Sequence, residues 1–388
     1  MIPKGFKLNG IKEDYGLSII YSEKEAVGYG VFTQNRVKAY PVLISQELIK
    51  KKDKFRVIVA NSGNANCYNK NGLLACKEMI KDVSKYLDVN EDDVLIASTG
   101  VIGRDANIEK LKDLVYRVSN LVKKESNVEN TAKAIMTTDK FPKYIAKSLN
   151  INGKEVKILG IAKGAGMIHP NMATMLCFII TDLKIDREEL KEVTDECVNK
   201  TFNNISVDGD TSTNDTVFIL ANGECGIDYN ECKEEFKKAL YEIMDYLAKK
   251  IVEDGEGATK LVEVVIKNAK NVDDAKKAGK AVINSLLVKT ALFGNDPNWG
   301  RILAAVGYSG ADFKDIDIIL SNYKEDVYLV KNNEPLAVGG EILKKAENII
   351  KNKKIKIIID LKVGDVEEKF YGCDLSYEYV KINAEYTT

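Results

Sequence analysis

Apolar runs that stop abruptly in glycine- and asparagine-rich loops set the rhythm of the first hundred residues. FRVIVANSGNANCYN begins as a strand and ends in small polar residues, and DDVLIASTGVIG repeats the form. The period then changes. From Asn107 to Glu125, Ile108, Leu111, Leu114/Val115, Val118 and Leu121/Val122 fall on one face, which predicts an amphipathic helix. VKILGIAKGAG is another strand running into a loop. TMLCFIITD is apolar on both faces, the pattern of a strand sandwiched between layers. Asp186 with Glu189 has the spacing of a capping box, opening a helix through about Phe202 with Leu190, Val193 and Cys197 inward. TVFILAN reads as a further buried strand. Phe236, Leu240, Ile243, Leu247 and Ile251 mark a long amphipathic helix that stops at EDGEG.

After LVEVVIKNA the charged segment KNVDDAKKAGK opens a region of different rhythm, with helices expected near 273–292 and 340–352 and strands at DIDIIL and KIKIIIDLKV. The change places a domain boundary near residue 270, giving a larger domain over 1–270 and a smaller α+β domain over 271–388. Strands and helices mix without regular βαβ alternation, so the class expected is α+β with layered sheets.

Composition narrows the function. Lys plus Arg number 57 against 58 Asp plus Glu, which offers no broad attraction to nucleic acid or anionic lipid. No stretch approaches the ~20 apolar residues of a membrane span, and MIPKGFKLNG has no secretory-signal pattern. The expectation is a cytoplasmic protein acting on small molecules, without nucleic-acid or membrane partners. Seven scattered cysteines without a CxxC pair read as buried thiols. The single histidine, His169, excludes a multi-histidine zinc site.

Two tempting motifs fail. EDGEGATKL lacks the Ser or Thr that must follow the lysine of a Walker loop, because Lys260 precedes Leu261. SVDGDTSTNDT spaces Asp208, Asp210 and Ser212 as a calcium loop would, but Thr213 and Ile219 stand where glycine and glutamate are required. No metal site is expected. What remains is KGAGMIHPNMATMLCFIITD, Lys163 to Asp182, where Thr174 opens an apolar strand behind a small alanine. One reading is a β-branched residue starting a strand; the other is a nucleophile held at a strand end. A nucleophilic threonine needs a base. His169 could serve; alternatively, a cut between Ala173 and Thr174 would place the new α-amine, with a pKa of roughly 7.7–8, on the nucleophile itself.

KGAGMIHPNMATML resembles the self-processing site of the ornithine acetyltransferase family, the glutamate N-acetyltransferases of arginine biosynthesis. PKGFKLNGIK, GVFTQNRVKAYPV, NSGNAN, ASTGVIGR, MTTD, GEGATK, GNDPNWGRI and YVKINAEYTT are similar to family blocks in the family's order, across the whole chain. The resemblance implies that Thr174 is the nucleophile freed by cleavage after Ala173, and that Thr99 and Gly100 form the oxyanion hole. It implies that Thr137, Lys163, Thr174, Glu256, Asn383 and Thr388 bind substrate. It gives no role to Trp299 or Arg301, and leaves His169 without a catalytic part. The implied reaction moves acetyl from N2-acetylornithine to glutamate through an acetyl-Thr174 ester, without metal or organic cofactor. A bifunctional enzyme would also take acetyl from acetyl-CoA as co-substrate, and a self-processing aminopeptidase of related architecture would hydrolyse peptides instead. The implied fold is a layered sheet sandwich with flanking helices, similar to N-terminal-nucleophile hydrolases. The C-terminal tail would return to the active site, and the cleaved chains would assemble as an α2β2 heterotetramer. From a different class, an unprocessed binding protein would need a broken nucleophile or oxyanion site.

Overall fold

The computed structural model describes residues 1–169 and 175–385. By contacts they divide into two units. Met1–Asn199 with Asp210–Leu247 form the first, and Lys200–Gly209 with residues 248–385 form the second.

In the first unit the strands are β1 (Phe6–Lys12), β2 (Gly16–Phe32), β3 (Lys54–Asn64), β4 (Val94–Val101), β5 (Lys143–Ile151), β6 (Lys154–Lys163), β7 (Leu176–Thr181) and β8 (Thr216–Ala221). They join in the order β4-β3-β2-β8-β7-β6-β5, with β1 also paired to β2. Strand β2 serves three partners, β1, β3 and β8. Its first part, Gly16–Tyr21, pairs with β3, the register slips between Tyr21 and Ala26, and Val27–Phe32 pairs with β8. A slip of this kind bends a strand and lets one sheet fold over itself.

Side-chain alternation gives the layers. On β3, Ile58 and Ala60 join a cluster that also holds Leu159, Ile161, Leu176, Phe178, Ile180, Phe218 and Leu220 from β6, β7 and β8. The two halves of the sheet therefore share one inner core. Val57 and Val59 point the other way, into a second cluster with helices α2 (Gly72–Leu87) and α3 (Ile108–Lys124); α1 (Tyr40–Lys51) precedes them. Helix α3 carries the expected stripe, and Asn107 caps it by accepting the Lys110 N–H. After the short α4 (Val128–Ala134) and α5 (Arg187–Lys200), the long α6 (Lys233–Glu253) packs on β6. It lies so close that a Cβ on Gly160 would come within 2.6 Å of Ile243 and 2.9 Å of Leu247. Asp186 accepts the Glu189 N–H at the start of α5, as its spacing predicts. The result is mixed α+β with layered sheets and helices outside. All seven cysteines are buried and none forms a disulfide.

The second unit holds β9 (Leu261–Ala269), β10 (Asp317–Ser321), β11 (Asp326–Lys331), β12 (Glu334–Pro335), β13 (Lys354–Asp360) and β14 (Val366–Cys373), in the order β12-β11-β10-β13-β9-β14. Only β9 and β13 run parallel. Because β9 is an interior strand of this sheet, the division falls earlier than the change of rhythm near 270 suggests, and 248–270 belong here. The helix expected over 273–292 is two helices, α7 (Val272–Asn284) and α8 (Leu286–Phe293). Ser285, extended between them, ends the first and caps the second by accepting the Val288 N–H. Helices α9 (Trp299–Tyr308), α10 (Gly340–Ile350) and α11 (Tyr377–Glu385) complete the unit. The main cluster of α7, α8, α9 and α10 packs on Val262, Val264 and Ile266 of β9.

Candidate active site

The parallel strands β3 and β4 end together, with Ser62 opposite Thr99 and Gly63 opposite Gly100. Gly100 adopts φ +131°, and a Cβ there would stand 2.5 Å from both Asn64 N and Gly63 C. Only glycine fits so close to backbone. The NSGNAN segment, Asn61 to Asn66 at the end of β3 and just past it, braces this turn with its own amides. Asn66 Nδ2 donates to Ser98 Oγ at 2.9 Å, Ser98 Oγ donates to Asn61 Oδ1 at 2.6 Å, and Asn61 Nδ2 donates to Asn64 O at 2.9 Å. From the segment before β8, Asn214 Nδ2 donates to Ser98 O at 2.9 Å and Ala65 O at 2.7 Å. Fixing the Ser98 carbonyl also fixes the planar peptide that carries the Thr99 N–H.

The end of β6 meets this turn. Lys163 Nζ donates to Thr99 Oγ1 at 3.3 Å and to Thr137 Oγ1 at 2.9 Å, with Lys163 itself 2% exposed. A buried ammonium needs an anion, and Asp139 supplies it. Its Oδ2 lies 3.8 Å from Lys163 Nζ and accepts the Thr137 N–H at 3.0 Å. Oδ1 accepts Lys143 Nζ and the Gly164 N–H, each at 2.7 Å. Burial alone would raise the Asp139 pKa, but the Lys163 and Lys143 ammoniums overcome it and hold the carboxyl at about 2. Lys12 Nζ binds Met136 O at 2.6 Å and Ser62 Oγ at 2.7 Å, tying the segment that carries Thr137 to the end of β3.

In the second unit, Asn383 Nδ2 on α11 donates to Glu256 Oε2 at 2.9 Å. The GEGATK turn is fixed around it. Ser376 Oγ donates to Gly257 O at 2.6 Å, and Asp374 accepts the Thr259 and Lys260 N–H groups at 2.8 and 2.9 Å. Thus Thr99, Gly100, Thr137 and Lys163 converge in the first unit, and Glu256 and Asn383 meet in the second. Ala173, Thr174 and Thr388 lie outside the described residues. Where the description resumes, Met175 N donates to Asp215 Oδ1 at 3.0 Å and Leu176 pairs with Lys163.

A comparison with known families matches residues 4–388 to the ArgJ family. The chain belongs to the ArgJ family. Its curated relatives in this family include the glutamate N-acetyltransferase of Methanocaldococcus jannaschii, 62% identical over all of this chain and 98% of that one. Another is the arginine biosynthesis bifunctional protein ArgJ of Caldanaerobacter subterraneus, 46% identical over 100% and 98%. Among solved structures, a chain of the bifunctional ArgJ protein of Bacillus halodurans is 40% identical with a TM-score of 0.50, covering 54% of this chain and 98% of that one. The ArgJ family is the one whose blocks the sequence resembles.

Sequence reasoning missed several residues of this candidate site. Asp139 closes the MTTD block, but nothing in the pattern gives its carboxylate two lysine partners. Asn214 and Asp215 end the segment discarded as a calcium loop. Among the described residues no three His, Cys, Asp or Glu side chains gather to hold a metal ion, and no helix is long and apolar enough to cross a membrane. Trp299 and Arg301 have structural contacts: Trp299 Nε1 donates to Ala337 O at 3.3 Å, and Arg301 Nη1 donates to Leu287 O at 2.8 Å.

Proposed function

We propose that this chain is a glutamate N-acetyltransferase that cuts itself between Ala173 and Thr174 and then works by ping-pong acetyl transfer. Thr174 Oγ attacks the acetyl carbonyl of N2-acetylornithine, with its own α-amine taking the hydroxyl proton. Negative charge develops on the carbonyl oxygen, and Thr99 and Gly100 stabilise it, where one such donor is worth roughly 10²–10³ in rate. Ornithine leaves, the acetyl stays as an ester on Thr174, and the amine of glutamate removes it to give N-acetylglutamate. Lys163 and Thr137 hold a substrate carboxylate, Glu256 and Asn383 receive the ornithine side-chain amine, and Thr388 closes the site. The chemistry needs no metal or organic cofactor. The cleaved chains form an α2β2 heterotetramer in the cytoplasm.

The observation that carries this reading is the convergence of Thr99, Thr137 and Lys163 from three separate segments on one buried ammonium, in a chain 62% identical to a glutamate N-acetyltransferase over its full length. The size of the bacterial solved chain supports the cut. That chain is matched over 98% of its own length yet covers 54% of this one, and residues 174–388 are likewise a little over half of the 388. Transfer from acetylornithine alone is the form we take, because the relatives at 51–62% identity, and one at 44%, carry the single-activity name. The bifunctional name appears at 46%.

Intact mass of the purified protein beside Thr174→Ala tests the cut, with two fragments expected for the wild type and one chain for the variant. Acetyl transfer to glutamate, assayed from acetylornithine and separately from acetyl-CoA, tests the reaction. Acetate release that does not depend on glutamate refutes the transferase.

A further inference from the structure

One row of residues crosses four strands at the edge of the site. Lys12 on β1 pairs with Gly16 on β2, Gly16 with Ser62 on β3, and Ser62 with Thr99 on β4. Paired residues on neighbouring strands carry their side chains on the same face. Gly16 carries none, and a Cβ there would stand 2.5 Å from Ser62 Oγ and 1.9 Å from Ala134 O. With no side chain between them, Lys12 reaches Ser62: its Nζ donates to Ser62 Oγ at 2.7 Å and to Met136 O at 2.6 Å. Lys163 bridges Thr99 and Thr137. Lys12 bridges the residue opposite Thr99 and the residue before Thr137, so two ammoniums span the same two segments.

The two lysines differ in what answers their charge. Lys163 is buried and has Asp139 Oδ2 at 3.8 Å. Lys12 is solvent-exposed, and among the described residues its ammonium meets two neutral oxygens and no carboxylate at ion-pair distance. An ammonium has three N–H donors, so one is left over. Desolvation around Nζ and the like charge of Lys163 lower the Lys12 pKa, and Asp139 pulls the other way from farther off. An anion held by both lysines would relieve that repulsion. We propose that Lys12 is a second cation for the substrate's α-carboxylate, taking one oxygen with its remaining N–H beside Lys163 and Thr137. The proposal rests on the reading of the chain as an acetyltransferase for N2-acetylornithine. Acetylornithine and glutamate each carry an α-carboxylate next to the nitrogen that bears or takes the acetyl group, so one clamp serves donor and acceptor. Lys12 binds there and touches no reacting atom.

The test is steady-state transfer to glutamate from N2-acetylornithine and from its α-carboxamide, which keeps the shape and removes the charge. Lys12→Met is expected to raise KM for acetylornithine and for glutamate at least roughly tenfold, the scale of one hydrogen bond to a charged group, with kcat little changed. The ratio of kcat/KM for acid over amide should fall by the same factor. An equal loss on acid and amide makes Lys12 a brace between β3 and Met136 and overturns the proposal. If Lys12→Met melts far below the wild type, Lys12→Arg and Lys12→Gln decide it, because both keep N–H donors and only Arg keeps the charge. Arg should hold the acid-to-amide ratio at least roughly tenfold above Gln, and equal ratios overturn the proposal. A wild type that moves no acetyl from acetylornithine to glutamate removes the function reading and Lys12's part together. An active wild type beside a Lys12→Met of unchanged ratio removes Lys12 alone.

Discussion

Lys163 Nζ donates to Thr137 Oγ1 at 2.9 Å from a position that solvent barely reaches. The bond ties the end of β6 to the segment after α4, and the same ammonium reaches Thr99 on β4. Replacing Lys163 with Met keeps most of the apolar stem and removes the three-way link. A hydrogen bond to a charged group is worth about 2 kcal/mol, roughly a 30-fold loss in kcat/KM. Steady-state kinetics with acetylornithine and glutamate would show it. Folding should suffer less, because Asp139 keeps Lys143 and two backbone N–H donors.

Asp139 ties acid stability to this site. Its folded pKa is depressed to about 2, below the ordinary aspartate value near 3.9. The stabilisation is therefore complete above about pH 4 and is lost as pH falls toward 2, an effect of about 2 kcal/mol. Asp139→Asn should abolish that dependence and lower stability at neutral pH by about 3–5 kcal/mol, because Lys143 and Lys163 lose their anion. Urea unfolding of both proteins at pH 6 and pH 3 checks this. An Asn variant as stable as the wild type at pH 6 contradicts the assigned role.

Which parts of this site could be read from the sequence depended on whether the signal was local. TMLCFIITD announces a sandwiched strand because both of its faces are apolar, and Asp186 announces α5 because a cap lies three residues from its partner. Lys163 and Thr137 were visible only through resemblance, since their meeting depends on how β6 folds over α4. Asp139, Asn214 and Asp215 gave no usable signal. Asn214 acts on the distant Ser98 O, and Asp139 joins its near neighbour Lys143 to the distant Lys163 and Gly164; no spacing rule carries the distant part of that information. The split of 273–292 at Ser285 was missed for the opposite reason. A serine inside an amphipathic stripe is compatible with a continuous helix, and only the chain's extended turn there makes it a cap.

Gly100 tests the proposed oxyanion turn through backbone geometry. Its φ is +131°, and a methyl group added at its Cα would stand 2.5 Å from Asn64 N and Gly63 C. Gly100→Ala must therefore push backbone apart, since no flexible side chain is there to yield. The peptide proposed to present the oxyanion donors shifts with it. A loss of roughly 10²–10³ in kcat is expected, in line with removal of one donor, with KM changed far less. A circular-dichroism melt run alongside separates this from unfolding.

Glu256 and Asn383 form a second, independent test. Their 2.9 Å bond is charge-assisted, so Glu256→Gln and Asn383→Ala should be coupled by about 1–2 kcal/mol in a double-mutant cycle on stability. Glu256→Gln should also raise KM for acetylornithine and leave KM for glutamate nearly unchanged, because it removes the charge assigned to the ornithine amine. Equal rises for both substrates would assign Glu256 to a shared carboxylate site or to structure.

Lys260 separates a structural lysine from a phosphate-binding one. It stands where a glycine-rich phosphate loop would put its lysine, but its Nζ is buried against Asn295 Oδ1 and Ile350 O, both at 2.8 Å. Ile350 ends α10, so the ammonium sits on carbonyls at the negative end of a helix dipole. Lys260→Met leaves those carbonyls without their cation and should lower stability by about 2 kcal/mol. It should leave KM and kcat for both substrates unchanged, because Lys260 points into the second unit's own packing. ATP or inorganic phosphate should raise the melting temperature of neither protein. A phosphate-dependent rise in the wild type that Lys260→Met abolishes would reverse the assignment, because a lysine whose donors are all spent on carbonyl and amide oxygens has none to offer an anion.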